Sequence, residues 1–130
     1  MVEGRRILVV DGEPDLADAV RDSLEMHGYA VLQAADEAEA LTKVRTALPD
    51  LVVLAMMTPG MDGLAALREI RFLSAVPMIM LSAQGGEDDR VHALRLGADY
   101  YLTTPVGQGE LLARIESVLR RARRSWSTPT

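Results

Sequence analysis

The sequence predicts an α/β fold in which a doubly wound, five-stranded parallel sheet is covered by five helices. Five short apolar runs, each bounded by Gly, Pro, Asp or Ser, have the length and composition of buried strands. The segments between them carry apolar residues at the spacing of amphipathic helices. Strand and helix therefore alternate along the chain, and right-handed crossovers then give parallel strands with helices on both faces of the sheet.

The elements follow one another in a regular order. The predicted strands are ILVV (7–10), AVLQA (30–34), LVVLA (51–55), MIML (78–81) and YYL (100–102). The helical apolar positions are Leu16, Val20 and Leu24; Ala38, Leu41, Val44 and Leu48; Leu64, Leu67 and Ile70; Val91, Leu94 and Leu96; and Leu111, Ile115, Val118 and Leu119. Pro14 suits a first helical turn, and Asp36 with Glu39 forms a capping-box signal. Gly28 and Gly97 stand where the first and fourth helices are expected to end.

Length and composition indicate one ordinary globular domain. A chain of 130 residues buries about two thirds of its unfolded surface in a single core. No apolar run approaches the roughly 20 residues that span a bilayer, and the start lacks the pattern of a signal peptide. We therefore expect a cytoplasmic protein with no membrane contact. Because the chain has no cysteine, disulfides and thiol chemistry are excluded.

Charge is distributed unevenly along the chain. Four arginines, Arg120, Arg121, Arg123 and Arg124, lie near the C-terminus, so residues 1–119 carry 10 basic and 19 acidic residues, a net charge of −9. Such a body repels phosphates, and we expect no direct nucleic acid binding by this domain. We assign residues 1–121 to the domain and residues 122–130 to a basic and polar tail, or to a linker into an effector domain.

The functional crevice of such a sheet lies outside the carboxyl ends of its strands. There the sequence places Asp11, Gly12, Glu13, Ala55, Met56, Met57, Ser82, Ala83, Thr103 and Thr104. The first loop, DGEPD, carries three carboxylates that would repel a phosphate, so we expect no nucleotide or flavin cofactor. Asp11 and Glu13 are ligands that Mg²⁺ accepts, but Gly12 and Ala55 offer none. Helix capping by these two acids is therefore favoured over a metal site.

Four motifs resemble those of a known family. VVDGEPDL, LVVLAMMTPGMDGL, MIMLSAQ and GADYYLTTPV look like the successive motifs of the CheY-like response regulator receiver domain, a flavodoxin-like fold, over residues 5 to about 121. LLARIESVLRR and the basic tail resemble receivers fused to winged-helix DNA-binding domains, the OmpR/PhoB class. The resemblance implies two-component signal transduction rather than enzymatic activity. It also implies a protein partner or a fused effector domain, absent from this chain, that regulates transcription.

The resemblance also shows which functional positions are changed. The acid pair that holds Mg²⁺ in typical receivers falls on Asp11 and Gly12, and the aspartate that accepts the phosphoryl group falls on Ala55. The metal's carbonyl ligand would come from Met57, and the invariant lysine falls on Thr104. Gly12, Ala55 and Thr104 therefore form a degenerate phosphorylation site.

Other receiver positions are retained. They are Asp11, Glu13, the switch hydroxyl Ser82, the switch aromatic Tyr101, and Pro105. For Ser82 and Tyr101, a surviving switch and ordinary packing with strand-end hydrogen bonds both remain open.

Three hypotheses follow. The first is a pseudo-receiver that controls an output through protein contacts without aspartyl phosphorylation. The second is a receiver-like sensor that binds a small molecule in the emptied crevice, between Met56, Met57, Ala83 and Thr104. The third, which we consider least favoured, is metal-dependent phosphoryl transfer using Asp11 and Glu13.

A weak homodimer is expected through the fourth helix, the fifth strand and the fifth helix. Receivers of the winged-helix class resemble one another in pairing there through three kinds of charge pair. The corresponding positions are Arg90 with Glu110, Arg114 with Tyr100, and Asp99 with Ser117. Only the first pair keeps both charges, so the dimer should be weaker than in typical members.

Overall fold

The structure, a computed structural model, describes residues 5–58, 61–83 and 86–127 and confirms the predicted fold class. In chain order the elements are β1 (Arg6–Val10), α1 (Pro14–Met26), β2 (Ala30–Ala34), α2 (Glu37–Ala47), β3 (Leu51–Ala55), β4 (Met57–Thr58), β5 (Met61–Asp62), α3 (Gly63–Leu73), β6 (Met78–Ser82), α4 (Glu87–Leu96), β7 (Tyr100–Thr103) and α5 (Gln108–Ser127). Within these ranges, five parallel strands form a sheet in the order β2-β1-β3-β6-β7.

The helix boundaries agree with the local signals in the sequence. Helix α1 begins at Pro14. Asp36 caps α2 by accepting a hydrogen bond from the Glu39 N–H at 2.8 Å, and the Glu39 carboxylate accepts one from the Ala35 N–H. Gly28, just after α1, has a φ of 91°, and Gly97, which caps α4, has a φ of 117°. These predicted starts and ends are confirmed.

Apolar side chains alternate between the two faces of the sheet and form two cores. Leu8 and Leu54 face the core that α2, α3 and α4 cover. Val9 and Val53 face the core that α1 and α5 cover. Since both faces are covered, the central strand β3 is buried along its whole length and only its ends meet the surface.

The segment after β3 contains two features that the sequence did not predict. Strands β4 and β5 pair in antiparallel fashion. Asp62 then caps α3 by accepting hydrogen bonds from the Leu64 and Ala65 N–H groups. A Cβ at the following Gly63 would lie 2.4 Å from the carbonyl oxygens of Ala55 and Met56. This close approach of two backbones requires glycine.

Helix α5 continues to Ser127, into the segment 122–130 that the sequence analysis assigned to a tail or linker. Residues 128–130 of that segment lie outside the described residues. In the described part of the chain, no helix combines the length and the apolar character that crossing a bilayer requires.

Candidate functional site

The strand register brings the predicted crevice residues to one edge of the sheet. Val10 pairs with Leu54, so Asp11 and Ala55 follow side by side at the ends of β1 and β3. Ser82 pairs with Thr103 at the ends of β6 and β7. Asp11, Ala55 and Ser82 therefore end three neighbouring strands, and Thr104 follows the fourth.

Ala55 occupies the middle of this edge and is only 9% exposed. The backbone of the following residue, Met56, is held by two main-chain hydrogen bonds. The Met56 N–H donates to the Leu81 carbonyl at 2.7 Å, and the Gly63 N–H donates to the Met56 carbonyl at 2.6 Å. At this position the crevice thus presents closely bonded backbone and a methyl group, which cannot act as a nucleophile.

Asp11 is the strand-end acid that remains beside Ala55. Its N–H donates to the Ala34 carbonyl, and its carboxylate accepts a hydrogen bond from the Glu13 N–H at 2.9 Å. Partial burial raises the pKa of Asp11, a hydrogen bond from the Glu13 backbone opposes the shift, and the charge of exposed Glu13 adds to it. The contact is a local turn just before α1. Glu13, the N-cap residue of α1, makes no side-chain capping hydrogen bond, so the predicted helix capping by these two acids is not what the structure shows.

The magnesium ion that the receiver fold implies does not fit these residues. Gly12 and Ala55 supply no oxygen ligand from their side chains, and one Asp11 oxygen already accepts a main-chain hydrogen bond. Among the described residues, no cluster of three or more His, Asp or Glu side chains is arranged to hold a metal. A hard divalent ion needs several such oxygens.

The retained switch positions lie beyond Ala55 towards the edge of the sheet. Ser82 is buried, and its carbonyl accepts a hydrogen bond from the Thr104 N–H at 2.7 Å. Thr104, where the family has a lysine, offers a neutral hydroxyl and precedes a cis peptide bond to Pro105. Tyr101 is buried in the core beneath α4. This part of the crevice therefore offers the hydroxyl of Thr104 in place of an ammonium group.

A cavity of about 820 Å³ lies at the opposite end of the sheet. Its lining comes from the amino ends of the strands, the end of α2 and the last described turns of α5, and includes Pro49, Val76, Pro77, Val118 and Leu119. The cavity therefore lies away from the crevice between Met56, Met57, Ala83 and Thr104, where the small-molecule site is predicted. The side chains of Met57, Arg123 and Arg124, which the sequence analysis named, lie outside the described residues.

The predicted dimer face lies along the edge strand β7. Arg90 and Glu110 are exposed near the starts of α4 and α5. Arg114 lies 4.9 Å from the ring centre of Tyr100 in its own chain. Arg121, which sequence reasoning did not include, lies 5.3 Å from the same ring. No local pattern signalled this contact, because it depends on the packing of α5 against β7.

Asp99 is also engaged within the chain. Its carboxylate accepts a hydrogen bond from the Met78 N–H at 2.8 Å and lies 3.9 Å from Arg71. The sequence did not predict the hydrogen bonds of Arg71 either. Its guanidinium donates to the carbonyls of Ser74, Val76 and Gly97.

Known proteins are similar to this chain in both sequence and fold. A family model of the response regulator receiver domain matches residues 7–116. The chain is 45% identical over 120 residues to a probable transcriptional regulator, ycf27, of Cyanophora paradoxa, covering 92% of this chain and 50% of that protein. It is 41% identical over 119 residues to the alkaline phosphatase synthesis transcriptional regulatory protein PhoP of Bacillus subtilis, covering 91% of this chain and 50% of PhoP.

The fold is similar to that of a CheY-like receiver domain protein from Methanospirillum hungatei, with a TM-score of 0.88 and 30% identity over 93% of this chain and 98% of that one. The chain spans about half the length of the curated relatives it matches. Motif order, strand register and these likenesses agree, and the chain belongs to the response regulator receiver family.

Proposed function

We propose that this receiver domain transmits a signal through protein contacts without phosphorylation of an aspartate. The observation that carries the proposal is the methyl group of Ala55 at the end of the central strand, beside Asp11 and next to the strand that ends at Ser82. The main chain that follows Ala55 is fixed by hydrogen bonds of Met56, and Ala55 itself offers no carboxylate.

Phosphorylation of a receiver needs three chemical groups that this crevice lacks. A carboxylate must act as nucleophile, a cation must neutralise the transferring oxygens, and a second positive charge must hold the product. Here Ala55 replaces the nucleophile, Gly12 removes a metal ligand and Thr104 replaces the ammonium group. Because all three chemical groups are absent together, we consider this chain an evolved atypical receiver.

The same replacements are expected to let the crevice fold without a bound cation. Two carboxylates about 5 Å apart repel each other by roughly 3 kcal/mol at an effective dielectric constant of 20. Ala55 and Gly12 remove such repulsion around Asp11. The domain is then expected to stay close to one conformation until a partner shifts it.

We further propose that the output is transcription, exerted through an effector domain or a separate partner. The relatives named above are transcriptional regulators about twice as long as this chain. This role requires no enzymatic activity of the receiver itself.

Self-association through α4, β7 and α5 is expected to be weak. A twofold dimer contains each charge pair twice, so the two broken pairs remove four contacts, each worth roughly 0.2 to 1 kcal/mol. Affinity should therefore fall by roughly five-fold to a thousand-fold relative to a dimer with all pairs. Sedimentation velocity should show mainly monomer at low micromolar concentration. A tight dimer that Arg90→Glu leaves intact would place the interface elsewhere.

Acetyl phosphate with Mg²⁺, followed by intact-mass spectrometry, tests the central proposal. We expect no phosphoryl adduct on the native chain. The matched control is the triple variant Gly12→Asp, Ala55→Asp and Thr104→Lys, which restores the three groups and should bind Mg²⁺. A stoichiometric adduct on the native chain would refute phosphorylation-independent signalling.

A further inference from the structure

The cavity of about 820 Å³ at the amino ends of the strands has mainly apolar walls. It reaches both cores, because Val44 belongs to the core beneath α2, α3 and α4, and Val118 and Leu119 belong to the core beneath α1 and α5. Pro49 and Val76 add apolar surface from the loops before β3 and β6. A recess of this size and lining is typical of small-molecule sites.

Leu48, which ends α2, has an unusual backbone conformation at the edge of this cavity. Its φ and ψ are 48° and 62°, in the left-handed region that favours glycine. Among the described residues other than glycine, a positive φ occurs only here. Its side chain lines the cavity and is 73% exposed. An exposed leucine on strained backbone does not stabilise the domain by itself, and such positions concentrate at ligand sites.

The two acids that line the cavity already have partners within the chain. The Asp50 carboxylate accepts a hydrogen bond from the Arg6 N–H at 2.8 Å. The Asp99 carboxylate accepts one from the Met78 N–H at 2.8 Å and lies 3.9 Å from Arg71. These bonds reduce the negative charge that the two acids offer to a ligand.

Carbonyl groups at the helix ends beside the cavity are bonded as well. The Arg6 guanidinium donates to the Ala47 carbonyl at 2.6 Å. The Arg71 guanidinium donates to the Ser74 and Val76 carbonyls at 3.1 and 2.7 Å. The two arginines therefore offset the negative ends of the α2 and α3 dipoles, which would otherwise favour a cation.

Two further arginines line the cavity and can bind an anion. Arg5 precedes β1, where its carbonyl accepts the Ala30 N–H at 2.9 Å. Arg121 lies on α5, with its guanidinium carbon 5.3 Å from the Tyr100 ring centre. Neither arginine takes part in an ion pair among the described residues. Both guanidinium groups therefore keep donors for a carboxylate.

One more acid, Glu116 of α5, acts in the neighbourhood of Arg5. Burial raises the pKa of Tyr29, the charge of Glu116 raises it further, and the charge of Arg5 lowers it. Both charges are therefore close to that ring. Glu116 is exposed and is not among the described residues that line the cavity. Solvent screens its charge, so it weakens the attraction of Arg5 for an anion without cancelling it.

We propose that this cavity binds a small carboxylic acid with an apolar body. The carboxylate is attracted to the guanidinium groups of Arg5 and Arg121, and the apolar body packs against Leu48, Val118 and Leu119. Because residues 1–119 carry a net charge of −9, a ligand with a single negative charge is favoured over a polyanion. The site lies at the opposite end of the sheet from the crevice and does not depend on the absence of phosphorylation.

Sodium octanoate is the probe, titrated into the ¹⁵N-labelled full chain and followed by two-dimensional amide NMR. Octanol and octylammonium carry the same apolar body with no charge and with a positive charge. The test variant is Arg5→Gln with Arg121→Gln. The matched control is Arg45→Gln with Arg68→Gln, two arginines exposed on α2 and α3. Circular dichroism melting checks that both variants fold.

Leu48→Gly distinguishes a ligand contact from a structural role. Glycine adopts the left-handed conformation without strain, so the melting temperature should rise by about 1 to 4 °C. Octanoate should nevertheless bind about two-fold to ten-fold more weakly, because an apolar contact is lost.

We expect saturable binding of octanoate with a dissociation constant of about 0.1 to 1 mM. Amide shifts should move in the cavity loops 48–50 and 74–77 and stay unchanged at Asp11 and Ser82. Affinity should fall about three-fold to thirty-fold in the test variant and for octanol, and stay the same in the control variant.

Four results would overturn the proposal. They are the absence of saturable binding, octylammonium binding as tight as that of octanoate, shifts centred on the crevice, and full affinity in Leu48→Gly or in the test variant. Phosphorylation-independent signalling is tested separately, by the mass of a phosphoryl adduct.

Discussion

The two ends of the sheet differ in how much side chains add to the main-chain hydrogen bonds. At the amino ends of the strands, main-chain bonds such as that from the Asp50 N–H to the Arg6 carbonyl are joined by hydrogen bonds from side chains to backbone. Asp50 accepts a hydrogen bond from the Arg6 N–H and Asp99 accepts one from the Met78 N–H, each at 2.8 Å. Arg71 adds three bonds to main-chain carbonyls. These charged side chains satisfy polar backbone groups that the ends of strands and helices leave unpaired.

Around the crevice at the carboxyl ends, the hydrogen bonds are mainly between main-chain groups. The N–H groups of Asp11, Met56, Gly63 and Thr104 all donate to main-chain carbonyls. Exchange of the phosphorylation residues leaves these main-chain bonds in place, so the fold is expected to tolerate it. Around Arg71 at the amino ends side chains add to stability, whereas around Ala55 main-chain geometry dominates.

Gly63→Ala is expected to have the largest effect, because it disturbs main-chain geometry at the carboxyl end. Its new Cβ would lie 2.4 Å from two carbonyl oxygens that belong to the bonded backbone. We expect a loss of about 3 to 5 kcal/mol in the free energy of unfolding, measured by urea denaturation.

Gly109→Ala is the matched control for this change. Gly109 lies in the first turn of α5, where no atom lies within 4 Å of an added Cβ. It should leave stability unchanged or raise it by up to about 1 kcal/mol. Equal effects of the two substitutions would show that the close backbone approach at Gly63 is not a constraint.

Arg71→Met tests the side-chain half of the comparison at the amino ends. Methionine keeps much of the length but leaves three carbonyls and Asp99 without the guanidinium. We expect a loss of about 2 to 4 kcal/mol in the free energy of unfolding. Arg68→Met, at an exposed position on the same helix, should change it by less than about 0.5 kcal/mol. Similar unfolding curves for the two variants would show that the hydrogen bonds of Arg71 do not stabilise the amino ends of the sheet.

Ala55→Asp places a charge in the main-chain-bonded crevice. We expect it to cost about 1 to 3 kcal/mol, through desolvation and repulsion from Asp11. Thr103→Asp, at the exposed end of β7, should cost less. The Ala55 variant should also gain no phosphoryl group from acetyl phosphate, since Gly12 and Thr104 are unchanged. Efficient phosphorylation of this single variant would contradict the proposal that phosphorylation needs all three groups.

Local patterns in the sequence predicted most of the fold. The helix boundaries at Pro14, Asp36 and Gly97 depend on neighbouring residues, so they can be predicted without a structure. The crevice was located because parallel strands end at one edge, and the family motifs then identified Ala55 as the changed position.

Contacts between distant elements were not predictable in the same way. Arg71 binds carbonyls on two loops, one of them 26 residues away at Gly97. Asp99 was predicted only as a position of the dimer face, and the hydrogen bond that its carboxylate accepts from the Met78 N–H was not predicted. No spacing rule distinguishes an arginine or aspartate that binds backbone across the fold from one that faces solvent.

Asp11→Asn should have the smallest effect of the four substitutions, and its sign depends on pH. Partial burial raises the pKa of Asp11 above its value in the unfolded chain. Its contribution to stability is therefore fully present below about pH 4 and is lost as pH rises through the folded pKa. Asparagine carries no charge and keeps an acceptor for the Glu13 N–H. The variant should then be more stable at pH 7, by about 1 kcal/mol or less, with no such gain below both pKa values.

Thermal melts of Asp11→Asn and the native chain from pH 3 to pH 7 measure this difference. Asp15→Asn is the matched control, because Asp15 is exposed in the first turn of α1, where a negative charge is favourable. It should lower the melting temperature slightly at pH 7. If Asp11→Asn were less stable than the native chain at pH 7, the ionised carboxylate would be stabilising, and the carboxyl end would depend on a side chain after all.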